Sequence, residues 1–89
     1  MRNTVVWLKS AEHELAELWL NAAEEQQKLA DAADQIEQLL RTETLDRANT
    51  VSAGRFELTV PPLRVHFAFS PDDCKVSIVE VWRIKSPLS

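Results

Sequence analysis

The sequence predicts an α+β fold in two layers. One strand comes first, then a helical hairpin, then a three-stranded antiparallel meander, with the helices on one face of the sheet. Two observations lead there. Apolar residues in the first half recur with a helical period, and after Gly54 the period changes to two. Pro61-Pro62 and Ser70-Pro71-Asp72-Asp73 then punctuate the alternating runs. Eighty-nine residues make one domain, residues 1–89. A chain this short buries only ~60–65% of its unfolded surface, so its core is marginal.

Val5-Val6-Trp7-Leu8 is a β-branched and aromatic run, read as the first strand. Ser10 is the candidate helix N-cap, with Glu12 and Glu14 in the first turn, where the helix dipole favours them. Ala11, Leu15, Leu18 and Ala22 form one helical stripe. It fades through Glu24-Glu25-Gln26-Gln27. A second stripe runs through Leu29, Ala32, Ala33, Ile36, Leu39 and Leu40. Neither Gly nor Pro separates the two stripes, so they form a hairpin with a polar turn near residues 22–26, or one long helix. The hairpin is preferred, because a single helix rising ~1.5 Å per residue would overhang so small a core. Thr42 to Gly54 lacks either period and reads as a loop. Phe56, Leu58 and Val60 alternate with Arg55, Glu57 and Thr59. Leu63, Val65, Phe67 and Phe69 alternate with Arg64, His66, Ala68 and Ser70. Lys75 to Ile84 is the last strand, and it is apolar on both parities. That requires either a central strand covered on both faces or a bulge near Glu80 that switches the phase. Residues 85–89 read as a short tail.

Composition excludes several function classes. The hydrophobic share is 45% and the charged share 27%, which is globular rather than disordered or collagen-like. The single Cys74 forms no internal disulfide. One Cys with the distant His13 and His66 makes no zinc site, and no cofactor or metal is expected. Apolar runs fall far below the ~20 residues that span a bilayer, and the N-terminal apolar stretch is too short for a signal peptide. A soluble, cytoplasmic chain without membrane contact is expected. Three Trp and no Tyr are present, so no mechanism can use a phenol.

The net charge of −4 is unevenly spread. Residues 1–50 hold ten acidic and five basic groups, and residues 51–89 hold four acidic and five basic ones. The acidity therefore belongs to the helical half, where the plain reading is a solvated face. A chain built wholly to hold nucleic acid is not expected.

The order of elements and several local motifs together resemble the RelE/ParE superfamily of toxins from bacterial toxin–antitoxin modules. The opening Val6-Trp7-Leu8-Lys9-Ser10-Ala11-Glu12-His13-Glu14-Leu15 looks like the family's first strand and helix start. Ala32 to Leu40 looks like its second helix. Gly54-Arg55-Phe56-Glu57-Leu58-Thr59-Val60, Pro62-Leu63-Arg64-Val65-His66-Phe67 and Val76-Ser77-Ile78-Val79-Glu80-Val81-Trp82-Arg83 look like its strands. Each motif is weak alone; their joint order covers nearly the whole chain. The resemblance implies neutralisation by a cognate antitoxin that wraps the toxin. It implies one of two activities: cutting messenger RNA on the ribosome, as RelE-like members do, or poisoning DNA gyrase, as ParE-like members do.

Metal-free RNA cleavage needs a base for the 2′-hydroxyl, cations for the scissile phosphate and an acid for the leaving oxygen. By the resemblance, Arg64 and Arg83 match two Arg positions and Arg55 a strand position often basic. His66 is a candidate base. Against the nuclease stand the missing Tyr and the low basic count. A ParE-like toxin, or a member without activity, fits the composition better, and catalysis is not the favoured reading. The plain alternative reads the three Arg as exposed sheet residues, some pairing with Glu57 or Glu80 across strands. Trp19 sits beside the Leu15–Leu18 stripe, and an exposed Trp is an enriched interface anchor. Trp19, Leu15 and Trp82 are the candidate partner-binding residues, for an antitoxin, a target or a second copy in a homodimer. A small acidic interaction module without toxicity is the remaining alternative.

Overall fold

The computed structural model describes residues 3–42 and 48–84. The expected tail, and residues 43–47 of the expected loop, lie outside them. Seven elements follow in order: β1 (Thr4–Trp7), α1 (Lys9–Asn21), α2 (Gln26–Thr42), β2 (Asn49–Ser52), β3 (Arg55–Val60), β4 (Leu63–Ser70) and β5 (Lys75–Arg83). The strands make one mixed five-stranded sheet in the order β1-β5-β4-β3-β2. β1 runs parallel to β5, and all other neighbours are antiparallel. The expected α+β architecture is therefore present, with one strand more than the sequence predicts.

That extra strand is β2, inside the stretch expected to be loop. All four of its residues are exposed. A polar edge strand buries neither face, so it has no alternation to read; its pairing with β3 rests on backbone bonds. Gly54 takes the left-handed φ of 72° in the two-residue reversal between β2 and β3, a conformation that suits a residue without Cβ.

The hairpin is confirmed, with its turn at residues 22–25. Ala22 N–H donates to the Trp19 carbonyl at 3.3 Å, and the Gln26 side-chain amide donates to the same oxygen at 3.0 Å. These bonds satisfy a carbonyl that the end of α1 would otherwise leave open. Ser10, however, is not the N-cap. Leu8 takes that place without a side-chain cap, and Ser10 lies inside the first turn. Its hydroxyl donates instead to the Val79 carbonyl at 3.0 Å.

The core lies between the layers. Ala11, Ala22, Leu29, Ala32, Ile36 and Leu40 enter from the helices. Leu58, Leu63, Val65, Phe67, Val76, Ile78 and Val81 enter from the sheet. β4 shows the period of two: Leu63, Val65 and Phe67 are buried while Arg64, His66 and Ala68 are not. On β5 the bulge explains the double apolar parity. Phe67 pairs with Ile78 and His66 with Glu80, so Val79 is the extra residue. Val76 and Ile78 face the helices before it, Val81 after it. No helix among the described residues is long and apolar enough to cross a membrane.

Candidate functional site

The sheet face away from the helices collects polar side chains from β3, β4 and β5. Register decides which of them meet. Glu57 on β3 lies opposite His66 on β4, and Thr59 lies opposite Arg64. On the other side of β4, His66 lies opposite Glu80 and Arg64 opposite Trp82. Glu57 is the hub. Its Oε2 is 3.0 Å from His66 Nε2, and its Oε1 is 3.5 Å from Arg64 Nε. Arg64 Nε also donates to Thr59 Oγ1 at 3.0 Å. The His66 ring meets Trp82 edge-on, with centroids 4.7 Å apart.

This geometry sets what the cluster can do. An ionised carboxylate only accepts, so the bond to Glu57 places a proton on His66 Nε2. Arg64 is likewise held by Glu57 and Thr59. Arg55 lies one pair-step along β3, opposite Ala68. It makes no side-chain hydrogen bond or ion pair among the described residues.

Arg83 is elsewhere. It pairs with Leu63, whose side chain is fully buried on the helix face. From that face it reaches Glu25 in the interhelical turn and forms an ion pair. The Val79 bulge is the cause: an extra residue shifts every later side chain to the opposite face. Arg83 is thereby moved off the open face, and Glu80 and Trp82 are moved onto it. The expected set of Arg55, Arg64, Arg83 and His66 is split, with three on the open face and one beneath it.

The partner-binding candidates divide too. Trp19 and Leu15 line a groove of about 450 Å³ with Trp7, Ala16 and Ala33, edged by Glu12 and Glu37. Trp82 belongs to the open sheet face instead.

No protein-family pattern matches the sequence, and no curated protein matches it. Solved structures do match in shape. A chain of the toxin–antitoxin complex RelBE2 from Mycobacterium tuberculosis superposes with a TM-score of 0.78 at 19% identity, over 93% of this chain and 99% of that one. A chain of the chromosomal ParDE TA system from P. aeruginosa gives 0.71 at 15% identity, over 94% and 98%. The isolated E. coli RelE toxin gives 0.66 at 10% identity, over 97% and 89%.

The chain has the RelE/ParE toxin fold.

Within this RelE/ParE fold, Glu57 joins the site together, and its contact with Arg64 is one of the cross-strand pairs expected from the sequence. Its signal lies in the reversal at Pro61-Pro62, which is two residues long and so fixes Glu57 opposite His66. Glu25 carries no such signal, since its partner Arg83 is 58 residues away in sequence.

Proposed function

We propose that the chain is the toxin of a type II toxin–antitoxin module, held inactive in the cytoplasm by a cognate antitoxin and acting on its target, DNA gyrase, by protein contact. The observation behind this reading is the match in fold to toxins of both the RelE and ParE types over nearly the whole chain. The open sheet face favours contact over catalysis. Arg83 faces away from it and Arg64 is neutralised by Glu57, so two cations matched to the nuclease pattern do not converge on a phosphate. The chain also has no Tyr to act as acid or base.

Induced expression should arrest growth, and co-expression of the adjacent small reading frame should relieve it. The purified chain should inhibit gyrase supercoiling in vitro. Arrest without any effect on gyrase would remove the target and leave the toxin reading; no arrest at all would remove both. One observation supports the second reading, mRNA cleavage on the ribosome: Arg64 and His66 stand together on the open face with Arg55 near them. On that reading Arg64→Ala abolishes arrest and cleavage. On the favoured one Arg64→Ala leaves ribosome-bound mRNA as intact as the parent does.

A further inference from the structure

The open sheet face carries charge of both signs, and one carboxylate at its centre decides which sign a ligand meets. Glu57 uses both of its oxygens. Oε2 meets His66 Nε2 at 3.0 Å, and Oε1 meets Arg64 Nε at 3.5 Å. Register puts Glu57 opposite His66 and Thr59 opposite Arg64, so Glu57 and Arg64 are diagonal neighbours across the two strands. Their side chains are 24% and 37% exposed, so solvent screens the pair less than it would a fully exposed one. Arg64 has five N–H donors and commits the one on Nε to Thr59. What Glu57 withholds from a ligand is therefore charge rather than space. The rest of the face does not restore it. On β3, β4 and the part of β5 beyond the bulge, Arg55 and Arg64 are matched by Glu57 and Glu80, while Arg83 is paired with Glu25 on the helix side.

We propose that Glu57 is the specificity-determining residue of the open face: it cancels the charge of Arg64 and holds His66, so that the face accepts a protein surface and rejects a phosphodiester chain. A nucleic-acid strand gains affinity from each Lys or Arg that neutralises a phosphate and releases a counterion. An Arg already matched by a carboxylate gives no such gain, because the phosphate must displace Glu57 or lie beside it as a second anion. Glu80, opposite His66 and without an ion pair among the described residues, adds to the repulsion. A polar protein surface needs no such exchange. It meets a neutral pair by hydrogen bonds, and the Trp82 ring against His66 offers an aromatic contact beside it. The accepted partner rests on the protein-contact reading of the function; the rejection of a phosphodiester chain rests on the Glu57 contacts alone.

The test uses the full chain and a fluorescein-labelled single-stranded RNA of about 12 nucleotides, within the span of one single-strand site. Binding is read by anisotropy across a salt series. Glu57→Gln keeps the size of the side chain and an acceptor for His66 but removes the charge. It should bind the RNA at least ~10-fold more tightly than the parent, with a salt slope steeper by about 0.7, the mark of one further phosphate contact. Glu57→Thr suits a strand equally and should show the same gain. Glu80→Gln removes the same charge from the same face but frees no Arg, so it should gain less than ~3-fold. Glu57→Gln combined with Arg64→Ala should return to parental affinity. No gain in either folded Glu57 variant, an equal gain in Glu80→Gln, or a gain that survives Arg64→Ala would overturn the proposal. If the parent arrests growth and Glu57→Gln gains no RNA affinity, this inference alone is lost. If the parent never arrests growth, the toxin reading alone is lost, whatever Glu57→Gln does to RNA.

Discussion

Among the described residues, Gly54 and Cys74 adopt left-handed backbone outside any regular element, and substitutions there should act in opposite directions. Gly54 has φ 72°, and an added Cβ would meet nothing within 4 Å. Its replacement therefore tests backbone conformation without steric confusion. Gly54→Ala should cost about 1 kcal/mol, since an L-residue disfavours this region by that order. Cys74 has φ 49° at the end of the Pro71-Asp72-Asp73 turn, and its N–H donates to the Pro71 carbonyl at 3.3 Å. The turn forces on a β-carbon the geometry that Gly54 adopts freely. Cys74→Gly should be neutral or stabilising by up to about 0.5 kcal/mol, the relief of strain being offset by greater freedom in the unfolded chain. Urea unfolding of both variants measures the pair, and a loss of stability in Cys74→Gly equal to that in Gly54→Ala would refute the conformational account.

At the scale of elements, the Val79 bulge determines the chemistry of β5. It lets Val76, Ile78 and Val81 all reach the core, and it sends Glu80 and Trp82 to the open face. Its carbonyl is satisfied by Ser10 of α1, so the irregularity is tied into the helical layer. Deleting Val79 would restore regular pairing and leave the faces as they are, with Glu80 still opposite His66 and Val81 opposite Val65. What it removes is the carbonyl to which Ser10 donates, so the deletion should lose about 1 kcal/mol and leave the domain folded. Circular dichroism and urea melts would show it; a deletion variant that unfolds would mean that Val79 is not simply the extra residue of the strand. The double apolar parity of residues 75–84 made this feature legible in sequence, though not which face each later residue takes. The α2 stripe was legible because Leu29, Ala32, Ile36 and Leu40 are buried at helical spacing. β2 was not, because its residues are all exposed. Ser10 was misread because a helix can begin on a backbone that turns from a strand without a side-chain cap. Of the site, the β4 pair Arg64 and His66 followed from alternation alone. The removal of Arg83 depended on one extra residue, and the Glu57 hub depended on strand register.

Across the whole molecule, polar bonds at several points fasten the helical layer to the sheet. At one end Asn3 N–H donates to the Arg41 carbonyl at 2.9 Å, joining the start of β1 to the last turn of α2. At mid-height Trp7 Nε1 donates to Glu37. At the other end Arg83, on the final strand, pairs with Glu25 in the interhelical turn. This last contact explains why a chain of low basic content commits an Arg to the helix side: it meets the acidic layer where the hairpin reverses. The two side chains are 44% and 35% exposed, so the pair contributes only about 0.5–1 kcal/mol after solvent screening. A charge swap isolates that contribution. Glu25→Arg and Arg83→Glu should each lose more than this, because each sets like charges together. The double variant should recover most of the loss, and the recovery should shrink at high salt. If Arg83 instead served RNA cleavage on the open face, the double variant would regain stability but not toxicity. If it serves to hold the two layers together, stability and growth arrest should return together, so measuring both in the one double variant distinguishes a fastener from a catalytic residue.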